Sequence, residues 1–443
     1  MSASAEPSPA SRRVRCDRLY DGSGGTVQED VEVRIESGRI VELAPRGSAS
    51  GADSDAALDL SGYFVVPGLV DAHDHLAFDV GDVQAQAAEG SVRLALRAAR
   101  NAEAMLAAGI TSMRDLGEPD DLATTLKDAI AGGMLRGPSL SVARTWITRT
   151  GGHAWFAARE ADGPDDVRRA VREQARGGCD WIKVVSTGGV MTRGSQPFEP
   201  GLGASELQAA VDEAHALGFP VSVHAIGGPG LTAAIEAGVD TVEHGFFATD
   251  RDLDLMAERD TALVSTYGVI EIASQASHVP APVRDKAKAA CEATISTLVR
   301  ARERGITVGV GCDLRHAALV RELEILLEAG WDRAEALHVV TDVNAQIARF
   351  PDAGRIDVGR SADLLALDGD PLVSLETLRS PKLVMRAGEV LIDRRPSQRS
   401  GAGRAGPDVD RHRDDDQSTE RDPLVDVADR EQVEPVADHR QQQ

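Results

Sequence analysis

The sequence predicts an α/β protein: a (β/α)₈ (TIM) barrel of eight parallel strands and their helices, joined to a small β-sandwich domain. Between about residues 63 and 345, short apolar stretches alternate with Ala-rich, helix-forming stretches, which is typical of repeated β/α units. Near both ends of the chain, apolar residues instead recur at every second position between Gly-rich turns, the pattern of half-buried antiparallel strands. Because these two β-rich pieces flank the alternating region, we expect them to form one domain.

Eight strand candidates follow one another along the alternating region. In chain order they read YFVVPGLVDAHDH, GITSMRDLG, SLSVART, DWIKVVSTGG, FPVSVHA, VDTVEHG, TALVSTY and ITVGVGCD. The helix candidates between them include VRLALRAARNAEAMLAAG, DDVRRAVREQARGG, ASELQAAVDEAHALG and GLTAAIEAG. Eight such units in a region of this length fit a barrel. A doubly wound sheet is the alternative, but no GxGxxG follows a first strand to favour it.

This interpretation divides the chain into four regions. They are a flexible leader (1–12), a β-sandwich (13–62 plus 350–393), a barrel (63–349) and a tail (394–443). The tail is charged, contains Pro and Gly, and has almost no large apolar residues. Such a segment cannot bury enough apolar surface to fold, so we expect it to be disordered.

Composition narrows the class of partner. The net charge of −23 and the aromatic content of 3% argue against a nucleic-acid partner. No apolar run is long enough to cross a membrane, and the N-terminus lacks the apolar segment of a secretory signal. The four cysteines are scattered without CxxC spacing, as expected for reduced thiols. These features predict a cytoplasmic protein that binds neither nucleic acid nor membrane. Barrels of this kind often associate, so we also expect a homo-oligomer, and we expect its partner to be a small molecule.

Polar residues end several of the predicted barrel strands, and active sites of such barrels lie at these carboxyl ends. His73 and His75 end the first strand; because residues i and i+2 of a strand face the same way, both imidazoles can reach one metal ion. Four further strand ends carry Lys183, His224, His244 and Asp313. Each residue alone is more often structural, but their coincidence at one end of a barrel favours a metal site. Imidazole and carboxylate ligands suit zinc and similar divalent ions.

These motifs resemble those of the amidohydrolase superfamily over residues 13–393. The motifs are PGLVDAHDH, IKVVSTGGV, VHAIGG, GVDTVEHG and GVGCD. Within the superfamily the chain is most similar to the imidazolonepropionase-like and prolidase-like (Xaa-Pro dipeptidase-type) group. That similarity rests on AAGITSMRDLG, TGGHAWF, AIEAGVDTVEHG and TDVNAQIAR.

The resemblance implies a binuclear centre of two divalent metal ions, with Zn²⁺ expected and Co²⁺ or Mn²⁺ as alternatives. The implied ligands are His73 and His75 for a buried ion, His224 and His244 for a more exposed ion, a CO₂-derived carbamate on Lys183 that bridges both, and Asp313. A free ammonium between two cations would be repelled, so Lys183 suits this place only when modified. Carbamylation needs the neutral amine, which burial in an apolar strand favours.

The implied reaction is hydrolysis of an amide-type C–N bond by a hydroxide that bridges the two metal ions. Asp313 would be the catalytic residue that takes the proton from the hydroxide and passes it to the leaving nitrogen. The expected substrate is a dipeptide or an N-acyl amino acid. Carbamates, thiocarbamates, phenylureas and lactam or imidazolone rings are alternatives. A non-catalytic scaffold on the same fold is a distant alternative, because every expected ligand is present.

Three further residues are candidates for substrate contacts. His153 lies in a Gly-rich segment after strand three, Tyr267 ends strand seven, and Arg193 lies in the loop after strand four. A histidine near the first of these places often contacts substrate in the group that the chain resembles. Mononuclear deaminases of the superfamily have a glutamate shortly after the strand-five histidine and lack the strand-four lysine. Here Ile226 follows in HAIGG and Lys183 is present, which disfavours deamination.

Overall fold

The computed structural model describes residues 11–48, 56–190, 194–277 and 279–396. The strands are β1 (Ser11–Leu19), β2 (Gln28–Glu36), β3 (Arg39–Pro45), β4 (Ala56–Pro67), β5 (Leu69–Asp74), β6 (Ile110–Asp115), β7 (Ser139–Val142), β8 (Ile147–Thr148), β9 (Arg159–Glu160), β10 (Ile182–Val185), β11 (Val221–Gly227), β12 (Thr241–Phe247), β13 (Ala262–Ser265), β14 (Val308–Val310), β15 (Leu364–Leu367), β16 (Leu383–Arg386) and β17 (Glu389–Asp393). Most of the leader and nearly all of the tail predicted above lie outside the described residues.

The helices follow the strands in the alternating order that the sequence predicts. They are α1 (Val83–Ala87), α2 (Ser91–Ala107), α3 (Leu122–Ala131), α4 (Pro164–Arg176), α5 (Ala204–Ala216), α6 (Gly228–Ala237), α7 (Asp250–Arg259), α8 (Tyr267–Gln275), α9 (Ala281–Glu303), α10 (Leu319–Glu328), α11 (Arg333–His338) and α12 (Asn344–Ile347). Short 3₁₀ turns span Trp155–Ala157 and Leu375–Arg379, and a π-helical turn spans Val339–Val343. None of the helices in the described ranges combines the length and the apolar character needed to cross a membrane.

Eight parallel strands form the barrel in chain order. Strands β5 to β7 make one run and β10 to β14 make a second. The first junction between the runs lies at the carbonyl of Val142, which accepts from the backbone N–H of Asp180 (2.7 Å) and of Trp181 (3.2 Å). At the second, the backbone N–H of Asp313 donates to the carbonyl of His73 at 3.0 Å. These bonds join the runs on both sides, and the predicted (β/α)₈ barrel is confirmed.

Amphipathic helices cover the outside of the barrel. In α2 the buried positions recur every third or fourth residue, so one face packs inward. They are Leu94, Ala98, Asn101, Ala102, Met105 and Leu106. In α4, Pro164 opens the helix and Asp165 and Asp166 stand in the first turn, where the helix dipole favours negative charge.

Strands from both ends of the chain form the small domain, as predicted. They hydrogen-bond in one continuous seven-stranded sheet of order β17-β16-β15-β4-β1-β2-β3. The two chain ends meet where β15 pairs antiparallel with β4, with Leu365 opposite Val66. Apolar side chains from both halves, such as Val33 and Met385, are fully buried in one shared core. The long strand β4 leads through Gly68 directly into β5, so the first barrel strand is anchored in this sheet.

Candidate metal centre

The carboxyl ends of the barrel strands bring all six predicted metal ligands to one cavity. Their positions are His73 in β5, His75 one residue beyond it, Lys183 in β10, His224 in β11, His244 in β12 and Asp313 three residues after β14. These elements are five of the eight barrel strands or their immediate extensions. Residues separated by up to 240 positions therefore line one cavity, as the strand-end argument predicts.

Short distances connect these side chains. The imidazole centroids are 5.2 Å apart for His73 and His75, 5.0 Å for His73 and His244, and 4.6 Å for His224 and His244. One Asp313 carboxylate oxygen lies 3.7 Å from His73 Nε2, and the other lies 3.7 Å from His244 Nδ1. One ligand atom each from His73, His244 and Asp313 can be chosen so that all three lie within 4.8 Å of one another. Ligand atoms at this separation can share one cation.

Two buried polar atoms at the centre show that the residues present fit a metal. His73 Nε2 and Lys183 Nζ have no hydrogen-bond partner among the described residues. A buried polar atom without a partner costs roughly 1–3 kcal/mol, so native structures rarely keep one without a reason. The imidazoles and carboxylate around these atoms are the donor set that divalent zinc-like ions prefer. The site therefore fits the metal ions that the resemblance implies.

The imidazoles of His75, His224 and His244 are held in the neutral form that binds metals. Burial lowers the pKa of His75 to about 3, with help from the positive charges of His73 and Lys183. Burial likewise moves the pKa values of His224 and His244 well below the ordinary value. Each ring is oriented through one nitrogen: His75 Nδ1 donates to the Gly117 carbonyl at 2.8 Å. The other nitrogen is then free to act as a ligand.

Lys183 is nearly buried, with 3% of its surface exposed. Burial lowers its pKa to about 8, and the charge of Arg114 acts in the same direction, against Glu243 and Asp313. A lowered pKa increases the fraction of neutral amine near neutral pH. The neutral amine is the form that reacts with CO₂.

Asp313 and His244 have left-handed backbone conformations, with φ of 43° and 75°. Non-glycine residues adopt such angles at a cost, and they concentrate at functional sites. The turn at Asp313 follows directly on the bond from its N–H to the His73 carbonyl. Burial raises the pKa of Asp313, while His73 and Lys183 oppose this effect. The carboxylate is thus held between the two imidazoles with a raised proton affinity.

Two residues that the sequence analysis did not single out support the centre from below. Glu243 is fully buried and accepts from His73 Nδ1 at 2.7 Å, from Arg114 Nη2 at 2.9 Å and from Ser222 Oγ at 2.8 Å. The bond to Glu243 fixes the proton on His73 Nδ1 and leaves Nε2 directed toward Asp313. Arg114 lies 4.5 Å over the ring of Trp181 and holds the Glu243 carboxylate charged.

Glu243 precedes His244 in the motif VEHG, but the regular alternation of a strand predicts that its side chain points away from the site. In a regular strand, neighbours point to opposite faces, so Glu243 and His244 would not both face the barrel interior. The left-handed φ of His244 breaks the alternation at the strand end. As a result, Glu243 contacts His73 from below while His244 approaches it from the side.

The three candidates for substrate contacts lie in different settings. His153 lines the cavity, stacks on His224 with centroids 4.4 Å apart, and has a buried Nδ1 without a partner among the described residues. Tyr267 begins α8 instead of ending a strand, and it is not among the described residues that line the cavity. Arg193 lies outside the described residues. The substrate contacts of all three stay predictions.

Apart from the six ligands and His153, the described residues that line the cavity are apolar. They include Phe78, Trp146, Phe156, Ile226, Phe246 and Ile270. Apolar walls around a polar floor exclude water and strengthen electrostatic interactions at that floor. The cavity thus has a polar floor at the strand ends and apolar walls above it.

Fold and site together define a barrel protein with a cluster of candidate metal ligands at its strand ends. The chain belongs to the amidohydrolase family: the pattern of the "Amidohydrolase family" matches residues 64–391. Ochratoxinase of Aspergillus niger is 31% identical over 356 residues, which cover 72% of this chain and 73% of the relative. Imidazolonepropionase of Salinispora tropica is 27% identical over 382 residues, which cover 77% and 86%.

A solved structure shows the same architecture. The crystal structure of a Xaa-Pro dipeptidase with bound methionine in its active site superposes with a TM-score of 0.78 at 29% identity. The match covers 86% of this chain and 99% of that chain. The resemblance to the amidohydrolase superfamily, and to its imidazolonepropionase-like and prolidase-like group, is confirmed.

Proposed function

We propose that this protein is a metal-dependent amidohydrolase that cleaves an amide-type C–N bond of a dipeptide or an N-acyl amino acid. The observation that carries the proposal is the convergence of four imidazoles, Lys183 and Asp313 on one cavity, with His73 Nε2 and Lys183 Nζ buried and unpartnered among the described residues. Buried atoms of this kind are satisfied by a water, an ion or a modification, and the imidazoles and carboxylate around these two favour a cation.

In this proposal His73 and His75 would hold one ion, His224 and His244 would hold the other, and a carbamate on Lys183 would contribute to both. When bound, two divalent ions, with Zn²⁺ expected, supply an activated water and polarise the scissile carbonyl. Asp313 accepts a proton on its carboxylate and donates it to the leaving nitrogen.

The other cavity residues bind and orient the substrate. His153 presents an unpartnered Nδ1 beside His224, and a neutral imidazole there can bond to a polar group of the substrate. Trp146 and Phe246 are examples of the apolar walls that would hold the acyl or side-chain part. The printed names of two relatives, ochratoxinase and Xaa-Pro dipeptidase, support an enzyme of this kind.

Hydrolysis of a neutral carbamate, thiocarbamate, phenylurea or imidazolone ring is the second candidate. The apolar lining favours it, because apart from the metal ligands and His153 the described lining residues offer no polar side chain to recognise a charged substrate. The imidazolonepropionase relative supports the ring-opening member of this group.

A substrate screen tests the proposal. The full chain, loaded with Zn²⁺ in bicarbonate buffer, is incubated with L-dipeptides and N-acyl amino acids, and released amino acid is measured with and without a chelator. We expect release that the chelator abolishes and that added Zn²⁺ restores. Release from carbamates, ureas or lactams alone would favour the second candidate. Release that is insensitive to the chelator, or no release from any compound, would contradict the proposal.

A further inference from the structure

A second cavity adjoins the cavity of the metal centre. Val83 and Phe156 line both, so these two side chains form the boundary between them. The second cavity is otherwise lined by the start of α9, the segment around α1 and the loop that follows β10. A substrate that extends from the strand ends toward Val83 and Phe156 would reach this second cavity.

Lys286 of α9 lines the second cavity and has no carboxylate partner among the described residues. Its Nζ donates to the carbonyl of Ser195 at 2.8 Å and to that of Gly189 at 3.3 Å. Lys127, in contrast, pairs with both oxygens of Asp180 at 2.6 and 2.7 Å.

The bonding of Lys286 leaves capacity for a ligand. An ammonium has three N–H groups, and the two carbonyls accept from two of them. The acidic residue in the lining of the same cavity, Asp82, already caps α1 by accepting from the N–H of Ala85 at 3.0 Å. The remaining donor of Lys286 is thus available to an anionic group that enters the cavity.

One residue connects Lys286 with the metal centre. The Gly189 carbonyl accepts from Lys286, and its Cα packs so closely against His153 that a Cβ there would lie 2.1 Å from the ring. His153 in turn stacks on His224. Gly189 thus contacts both the Lys286 ammonium and the ring of His153, which borders the proposed metal site.

We propose that the second cavity binds a carboxylate of the substrate through Lys286. This inference rests on the proposed function and adds to it the residue that recognises the free carboxylate of a substrate with an apolar body. The apolar walls of the first cavity take the body, and a charge-assisted hydrogen bond to Lys286 takes the carboxylate. The alternative is that Lys286 only holds the loop after β10 against α9.

Binding of a matched pair of compounds distinguishes these roles. The probes are N-benzenesulfonyl-L-phenylalanine, whose sulfonamide resists hydrolysis, and its primary amide, titrated by calorimetry into the Zn²⁺-loaded full chain. We expect the acid to bind about tenfold more tightly than the amide, the size of one charge-assisted bond. In Lys286→Met this preference should vanish while the amide binds as before. Lys288→Met removes the same charge from an exposed position on the same helix and should retain the preference.

Three results would overturn the inference. They are equal weakening of acid and amide in Lys286→Met, a preference for the acid that survives this substitution, and no binding of the acid to the unsubstituted chain. The first would assign Lys286 to the loop alone. The substrate screen tests the proposed function separately. If the chain prefers the acid in a way that depends on Lys286 but hydrolyses no amide, the proposed function is refuted and the carboxylate site is supported.

Discussion

Replacing Lys183 by alanine is expected to reduce bound zinc from two ions per chain to one or fewer and to lower kcat/KM by at least about 10³-fold, or ~4 kcal/mol of transition-state stabilisation. The reason is that Lys183 Nζ is buried in the cavity of the imidazoles and has no partner among the described residues, in the place where a bridging carbamate would stand. The zinc content of the purified variant is measured by inductively coupled plasma mass spectrometry. Its activity is measured on the best substrate of the screen.

A control and a rescue make this result specific. Lys127→Ala removes a lysine that pairs with Asp180, away from the cavity, and should leave zinc content and activity unchanged. A small carboxylate such as propionate, added to Lys183→Ala, offers two oxygens in the space of the missing carbamate and should restore part of the activity. Full zinc content and full activity in Lys183→Ala would refute the bridging role.

Replacing Asp313 by asparagine is expected to separate chemistry from metal binding. The amide keeps an oxygen near His73 and His244 but cannot accept the proton, so we expect kcat to fall by ~10²–10⁴-fold, the usual contribution of a general base. Bound zinc should fall much less, because four imidazoles and the Lys183 carbamate remain. The measurements are steady-state kinetics and zinc content on the same preparation.

Asp352→Asn is the matched control for this change, since it alters a surface aspartate that pairs with Arg39 in the small domain. It should leave both kcat and zinc content unchanged. A kcat near that of the unsubstituted chain in Asp313→Asn would remove Asp313 from the proton transfer. Loss of both zinc ions in that variant would instead show that the main role of Asp313 is to bind metal.

The barrel could be predicted because each β/α unit carries a local periodic signal. The shortest strands could not be predicted, because β8 and β9 have two residues each, too few for an alternation of apolar and polar residues to be recognised. Tyr267 shows how a distant contact decides a boundary. The buried carboxylate of Glu322, 55 residues away, accepts from the N–H groups of Tyr267 and Gly268 and so starts α8 at the place where the sequence suggested the end of a strand.

The six proposed ligands could be found from the sequence because parallel strands place their carboxyl ends on one side. Their support could not be found in this way. Arg114 and Glu243 come from different strands, and the bonds from Arg114 to Glu243 and from Glu243 to His73 depend on how the barrel closes. Lys286 lies on a helix and acquires its role only where α9 meets the loop after β10.

The most direct test of the central claim is a metal titration of activity. Chelator-stripped full chain in bicarbonate buffer receives increasing Zn²⁺, and hydrolysis of the best amide substrate is followed. The account predicts no activity without metal and a rise that levels off at two zinc ions per chain. Full activity in the stripped protein, or no activity at any zinc level, would contradict it.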